Sequence, residues 1–136
     1  MEQATAQLRA LLIESDPATR DLLRVGLESF DEVVVDVAED RWGVELVRDR
    51  PYDLVLIDLD LGDDSDGFAH VGTIREYDER PLIIAVKPGR TSRHLSREKN
   101  AHDIFALITL PLDVPAFFKT IARARDRILE SRRDDE

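Results

Sequence analysis

The 136-residue chain contains no cysteine. That excludes disulfides and thiolate metal sites, and it fits a reducing compartment. No apolar run is long enough to cross a bilayer, and no signal-peptide pattern opens the chain, so a cytoplasmic protein with no membrane partner is expected. Lysine is scarce: of the 19 basic residues only three are Lys and the rest are Arg. Positive charge as a whole is in deficit, 19 cations against 29 carboxylates for a net charge of −10. A nucleic-acid backbone would be repelled, so direct nucleic-acid binding is not expected, although a local basic patch stays open. What is present is a globular composition. Apolar residues make up 43% and charged residues 35%, enough for one domain with its own core.

The stretch from Tyr52 to Leu61 is the most telling. A short apolar run, Leu54 to Ile57, delivers a carboxylate, Asp58, at its C-terminal end. Such runs read as strands buried on both faces of a parallel sheet. In open α/β sheets the functional crevice lies beyond the carboxyl ends of the strands, which is where Asp58 falls.

The rest of the chain alternates. Residues 9–13 read as a first strand, followed by Asp16 as a helix cap with Pro17 at the first helical position. That helix is expected to run to about Ser29, with Ala18, Leu22, Val25 and Ser29 or Phe30 as its apolar stripe. Residues 33–37 are β-branched and read as a second strand, and residues 40–47, with Trp42, Val44, Leu46 and Val47, as a short second helix. The third strand spans 53–57, and Phe68, Val71 and Ile74 mark a third helix. Residues 81–86 form a fourth strand, 91–100 a weakly apolar fourth helix and 104–109 a fifth strand. Asp113 caps a last helix that places Val114, Phe117, Phe118, Ile121 and Ile128 on one face. Five strand–helix pairs call for a parallel sheet covered on both sides. The domain is expected to span 8–130, with 131–136 as a charged, frayed tail.

This order resembles the receiver domain of two-component response regulators. The resemblance rests on Leu11 to Pro17, on Asp53 to Leu59, on Asp66-Gly67-Phe68, on Pro81 to Ile84 and on Leu110-Pro111-Leu112. It implies a flavodoxin-like (βα)5 three-layer sandwich with strand order 2-1-3-4-5. It also implies that a histidine kinase phosphorylates the Asp ending the third strand, here Asp58. Family members hold Mg2+ with acidic residues after the first strand, the acceptor Asp and a backbone carbonyl two residues on. On this chain those positions are Glu14, Asp16, Asp58 and Asp60.

Other positions depart from the pattern. Ser15 stands where the family has an acidic residue, and Val86 where it has a hydroxyl that binds the phosphoryl group. Leu110 stands where it has a Lys, and Leu107 where an aromatic switch residue is common. The loop from Asp58 to Gly67 is one residue longer than usual, with Gly62 in place of a Pro. A Val methyl cannot donate a hydrogen bond, and a Leu cannot neutralise a phosphoryl oxygen. Charge-assisted hydrogen bonds of that kind contribute about 1.5–3 kcal/mol each. Mg2+ is therefore expected to bind weakly or not at all.

Several features have two readings. Asp16 is a metal ligand or a helix cap. The carboxylates Asp58, Asp60, Asp63, Asp64 and Asp66 are a cation loop or a solvated acidic loop without EF-hand spacing. Lys87 stands in for the missing Lys or lies exposed before the Pro88-Gly89 turn. The basic residues Lys87, Arg90, Arg93, His94, Arg97 and Lys99 dock an acidic partner or an anion, or are a solvated helix face. His70, His94 and His102 show no metal spacing, and no hydrolase triad is legible, so no enzyme is expected.

Two functions follow. The first is a degenerate receiver that binds a kinase or output protein, independently of phosphorylation or with weak phosphorylation. It would use Arg90, Arg93, Arg97 and Lys99 on the face of the fourth helix, fifth strand and fifth helix, where receivers also pair as homodimers. The alternative is a working receiver phosphorylated on Asp58 with Mg2+. A flavodoxin-like nucleotide binder is disfavoured, because the loops after the first and third strands are acidic and not glycine-rich.

Overall fold

Apolar residues on both faces of every inner strand force the sheet between two helical layers. In the computed structural model, which describes residues 7–62, 67–89, 97, 99 and 101–134, five parallel strands lie in the order β2-β1-β3-β4-β5. The strands are β1 (Leu8–Ile13), β2 (Val33–Ala38), β3 (Leu54–Asp58), β4 (Leu82–Pro88) and β5 (Ala106–Leu110). The helices are α1 (Pro17–Glu28), α2 (Glu45–Asp49, entered through a 3-10 turn at Arg41–Val44), α3 (Gly67–Tyr77) and a C-terminal helix (Val114–Asp134).

The two-residue period of a strand divides the core into two. Leu8, Ala10, Leu12, Leu54, Leu56, Ile84 and Val86 face one side, where Leu23 and Leu27 of α1 and Phe117, Ile121, Ala124 and Ile128 of the C-terminal helix cover them. Leu11, Ile13, Val55, Ile57, Ile83 and Ala85 face the other, under Val47 of α2 and Phe68, Val71 and Ile74 of α3. The central strands are thus dry on both faces, and polar groups are left at the strand ends.

The caps expected at Asp16 and Asp113 form, and Asp40 adds a third. Asp16 accepts the Thr19 N–H at 2.9 Å, Asp40 accepts the Trp42 N–H at 3.0 Å, and Asp113 accepts the Ala116 N–H at 3.1 Å. A half-buried guanidinium ties down the other end of the sheet. Arg75 at the end of α3 donates to the carbonyls of Glu79, Pro81, His102 and Asp103 at 2.7–3.3 Å. Burial pulls its pKa below the usual arginine value.

Four expectations need correction. The stripe Ala18, Leu22 and Val25 faces solvent, with Leu22 47% and Val25 57% exposed. The sheet takes the neighbouring stripe, Leu23 and Leu27, because Gly26 lets α1 press against the Phe117 ring. The helix expected over 40–47 begins as the 3-10 turn Arg41–Val44 and becomes α-helical only over Glu45–Asp49; Trp42 is 62% exposed and stacks under the Arg41 guanidinium at 4.9 Å, while Gly43 and Val44 are buried. Val114 and Phe118 lie off the buried face of the last helix, although Phe118 still touches the Phe30 ring, with centroids 6.0 Å apart. Residues 131–134 continue that helix and do not fray. Arg132 anchors them to Asp53 at 2.9 Å, and Asp53 also accepts the Arg9 N–H at 2.8 Å. The fourth helix expected over 91–100 lies mostly outside the described residues, and Arg97 and Lys99 within it are helical.

Gly67 opens α3 against the backbone of Leu59, where a Cβ would collide with the Leu59 carbonyl. Gly67→Ala should therefore destabilise the fold by about 1–3 kcal/mol, as overpacking in a closed site does. A urea-unfolding midpoint unchanged from the parent would contradict this packing.

Candidate functional site

The register of the central strands assembles the site. Ile13 of β1 pairs with Ile57 of β3, so the next residue of each chain, Glu14 and Asp58, emerges at the same sheet end. Glu14 is 0% and Asp58 6% exposed, and these are the two buried charged residues among those described. A cleft of about 330 Å3 opens over them, lined by Glu14, Ser15, Asp16, Asp58, Asp60 and Leu110. The candidate acceptor and all four candidate metal-site residues thus share one cleft, together with two of the substituted positions.

The geometry within the cleft is uneven. Asp58 Oδ1 accepts the Asp60 N–H at 2.7 Å, and Asp60 Oδ1 in turn accepts the Gly62 N–H at 3.1 Å. Gly62 adopts φ +78°, a backbone conformation that glycine reaches without strain. Glu14 Oε2 accepts the Asp16 N–H at 3.3 Å, whereas Glu14 Oε1 is buried with no hydrogen-bond partner. Burial is the main force on Glu14, and the Asp58 carboxylate beside it adds to the effect. Together they push its pKa up to about 8, against weaker help for the charged form from the Asp16 and Ser15 N–H groups.

Asp16 is spent as a cap. Its Oδ2 accepts both the N–H (2.9 Å) and the hydroxyl (2.7 Å) of Thr19, and these bonds hold its carboxyl below the usual carboxylate range. Among the described residues no group of three or more carboxylates or histidines is close enough to hold a metal ion.

The substituted positions lie where they matter. Val86 is fully buried and pairs with Asp58 across the β3–β4 ladder, its carbonyl accepting the Leu59 N–H at 2.8 Å. Leu110 supplies an aliphatic wall of the cleft. Leu107 is not in it. It pairs with Ala85 and packs half-buried against the α2–α3 core. Lys87 pairs with Thr109, does not line the cleft and forms no ion pair with Asp58. Of the expected partner face, Arg97 is exposed and Lys99 half-buried, while Arg90 and Arg93 lie outside the described residues, as do Asp63, Asp64 and Asp66 of the acidic loop.

Sequence reasoning missed two residues. Thr19 lines the cleft and fastens Asp16. Arg20 donates to the carbonyls of Glu14 at 3.2 Å and Ser15 at 3.3 Å, clamping the loop that carries the acidic residues, and lies 3.8 Å from Glu39. The only signal for either was its place in the first turn after Pro17. Another cleft, about 430 Å3, opens at the opposite end of the sheet. Two of its three guanidiniums are already engaged, Arg132 by Asp53 and Arg80 by Asp78, and no reactive pair faces it.

The raised Glu14 pKa sets a pH dependence. Between the ordinary glutamate value of 4.5 and about 8 the folded chain holds a proton that the unfolded chain releases. Stability from neutral Glu14 is then complete below pH 4.5 and falls as pH rises toward 8. Glu14→Gln should flatten this decline, so that its unfolding midpoint exceeds the parent's at pH 8 by more than at pH 5. Equal differences at both pH values would show that Glu14 is not held neutral.

Comparison with known proteins agrees with this arrangement. Residues 10–121 match the family described as Response regulator receiver domain. The chain is 28% identical over 112 residues to an uncharacterized 14.6 kDa protein of Leptolyngbya boryana, covering 82% of this chain and 85% of that one. It is 27% identical over 122 residues to the Fimbriae Z protein of Salmonella typhimurium, of whose length it spans 58%. A CheY-like receiver domain protein from Methanospirillum hungatei superposes with a TM-score of 0.80 at 21% identity, covering 93% of this chain and 99% of that one. With its five parallel strands in the order 2-1-3-4-5 and an aspartate at the end of the third, the chain belongs to the response-regulator receiver domain family.

Proposed function

We propose that this receiver acts as an interaction module in two-component signalling whose partner binding is independent of phosphorylation, or only weakly phosphorylated. One observation carries the reading: the two positions near Asp58 where the family places a hydroxyl and a Lys are aliphatic, Val86 and Leu110. Phosphoryl transfer to a carboxylate brings anion to anion, and its catalysis is positioning plus charge neutralisation. Val86 beside Asp58 has no hydroxyl to donate, and Leu110 at the cleft wall has no charge to offer. Lys87 forms no ion pair with Asp58 and is outside the cleft, which leaves it poorly placed as a substitute. A histidine kinase or an output protein would be bound through the face that includes Arg90, Arg93, Arg97 and Lys99, on which two copies would also pair. The absence of any described helix long and apolar enough to cross a membrane accords with a cytoplasmic setting. The receiver unit is assigned to residues 8–130.

A second reading, a working acceptor at Asp58, is favoured by the unpartnered Glu14 Oε1 beside it. A divalent cation would satisfy that oxygen. Glu14, Asp58 and the Asp60 carbonyl would hold Mg2+ and water would complete the shell, since Mg2+ keeps several waters. Bound there, Mg2+ supplies the positive charge that offsets an incoming phosphoryl group. Asp16 would contribute little, its Oδ2 being held by Thr19.

The two readings differ in what limits the site. If the aliphatic positions are limiting, Val86→Thr combined with Leu110→Lys should raise phosphoryl incorporation from acetyl phosphate by about ten-fold or more, the worth of one charge-assisted bond made in the transition state. Asp58→Asn in the same background should abolish it. A double variant no faster than the parent would place the defect elsewhere.

A further inference from the structure

The C-terminal helix outruns the core it covers. Ile128 and Leu129 are its last residues packed against the sheet, yet the helix continues to Asp134. A helix end that packs on nothing frays unless it is tied down. Here Arg132 ties it to Asp53, just before β3, at 2.9 Å. The overhang becomes one wall of the cleft of about 430 Å3 at that end of the sheet. Arg127, Ile128, Ser131 and Arg132 line it, and their spacing puts them on one side of the helix. Tyr52, Asp53 and Leu82 line it from the strand ends.

The lining combines apolar side chains with a charged rim, as sites for small molecules do, and its volume falls within their range of about 300–1,000 Å3. Tyr52 and Ile128 are buried and Leu82 is half-buried. The Tyr52 hydroxyl already donates to Asp36 at 2.6 Å, so Tyr52 has its ring to offer. Most of the charges are spent. Arg132 is bound to Asp53, and Arg80 to Asp78 at 3.0 Å. Arg127 is exposed and has no ion pair or hydrogen bond among the described residues. Asp134 is also exposed and unpaired among them. It lies seven residues further along the helix, roughly 10 Å away, and so does not neutralise Arg127.

We propose that this cleft binds a small aromatic monocarboxylate, with its ring against Tyr52, Leu82 and Ile128 and its carboxylate on Arg127. One open cation calls for one negative charge, and a guanidinium fork matches a carboxylate. A flat ring suits a cleft flanked by Arg80 and Arg127, because guanidiniums stack on aromatic faces. A polyphosphate is disfavoured by Asp53 and Asp134 on the rim and by the net charge of −10. No residue lining this cleft lines the one over Asp58, so each site can be tested with the other disabled.

The probe is naphthoate, with naphthamide as its uncharged counterpart and ATP as a polyphosphate. Naphthoate should shift the amide resonances of Tyr52, Leu82, Ile128 and Ser131 saturably at low salt, leaving those of Ser15 and Asp60 in place. Naphthamide and ATP should each bind about ten-fold more weakly or less. Arg127→Glu should weaken naphthoate binding by about ten-fold or more. Ser131→Trp fills the cleft from an exposed helix position and should abolish binding with an unchanged circular dichroism spectrum. Asp58→Asn should bind as the parent does. No saturable shift, undiminished binding in Arg127→Glu or Ser131→Trp, shifts centred on the Asp58 cleft, or naphthamide or ATP bound as tightly as naphthoate would each overturn the assignment.

Discussion

Two carboxylates lie side by side at the end of a dry sheet, and the rest of the site is arranged around them. Glu14 and Asp58 are set together by the β1–β3 register, and neither can move away without slipping a ladder whose every rung is buried. Both are buried where the cleft opens over them. One answer is a proton on Glu14, consistent with its raised pKa, and another is a cation between them. Beside this acidic pair, the side chains of Val86 and Leu110 are aliphatic.

The surrounding structure serves to hold this end of the sheet rigid. Arg20 clamps the Glu14 and Ser15 carbonyls, Thr19 fastens Asp16, and Gly67 brings the start of α3 onto the Leu59 backbone. Arg75 and the Arg132–Asp53 pair do the corresponding work at the opposite end. The cleft braced in this way is lined mainly by polar groups, with Leu110 as its aliphatic wall and Val86 paired with Asp58 beneath.

Strand positions were legible in the sequence because buried parallel strands are nearly uniform apolar runs, as in Leu54 to Ile57. The caps at Asp16 and Asp113 were legible because each is a local bond between a side chain and the next turn, whereas Asp40 was placed inside its helix and caps it instead. The helix faces were harder. Leu22 and Val25 share a helical stripe as good as that of Leu23 and Leu27, and the choice between them depends on Gly26 meeting Phe117, a contact 91 residues apart in sequence. In the segment read as the second helix, Trp42 is exposed and its neighbour Gly43 is the residue against Ala38 and Ile13. Glu14, Asp58 and Leu110 share one cleft because each sits at or just past a strand end, and Val86 joins them by pairing with Asp58. The work of Arg20 was not legible, because a guanidinium bound to carbonyls leaves no mark on spacing or composition.

The most direct measurement is the intact mass of the protein after incubation with Mg2+ and acetyl phosphate, with Asp58→Asn as control. The account predicts no phosphoryl adduct, or a trace that disappears in Asp58→Asn. Near-complete addition of one phosphoryl group to the parent, absent from Asp58→Asn, would contradict it, because Asp58 would then be an efficient acceptor despite Val86 and Leu110.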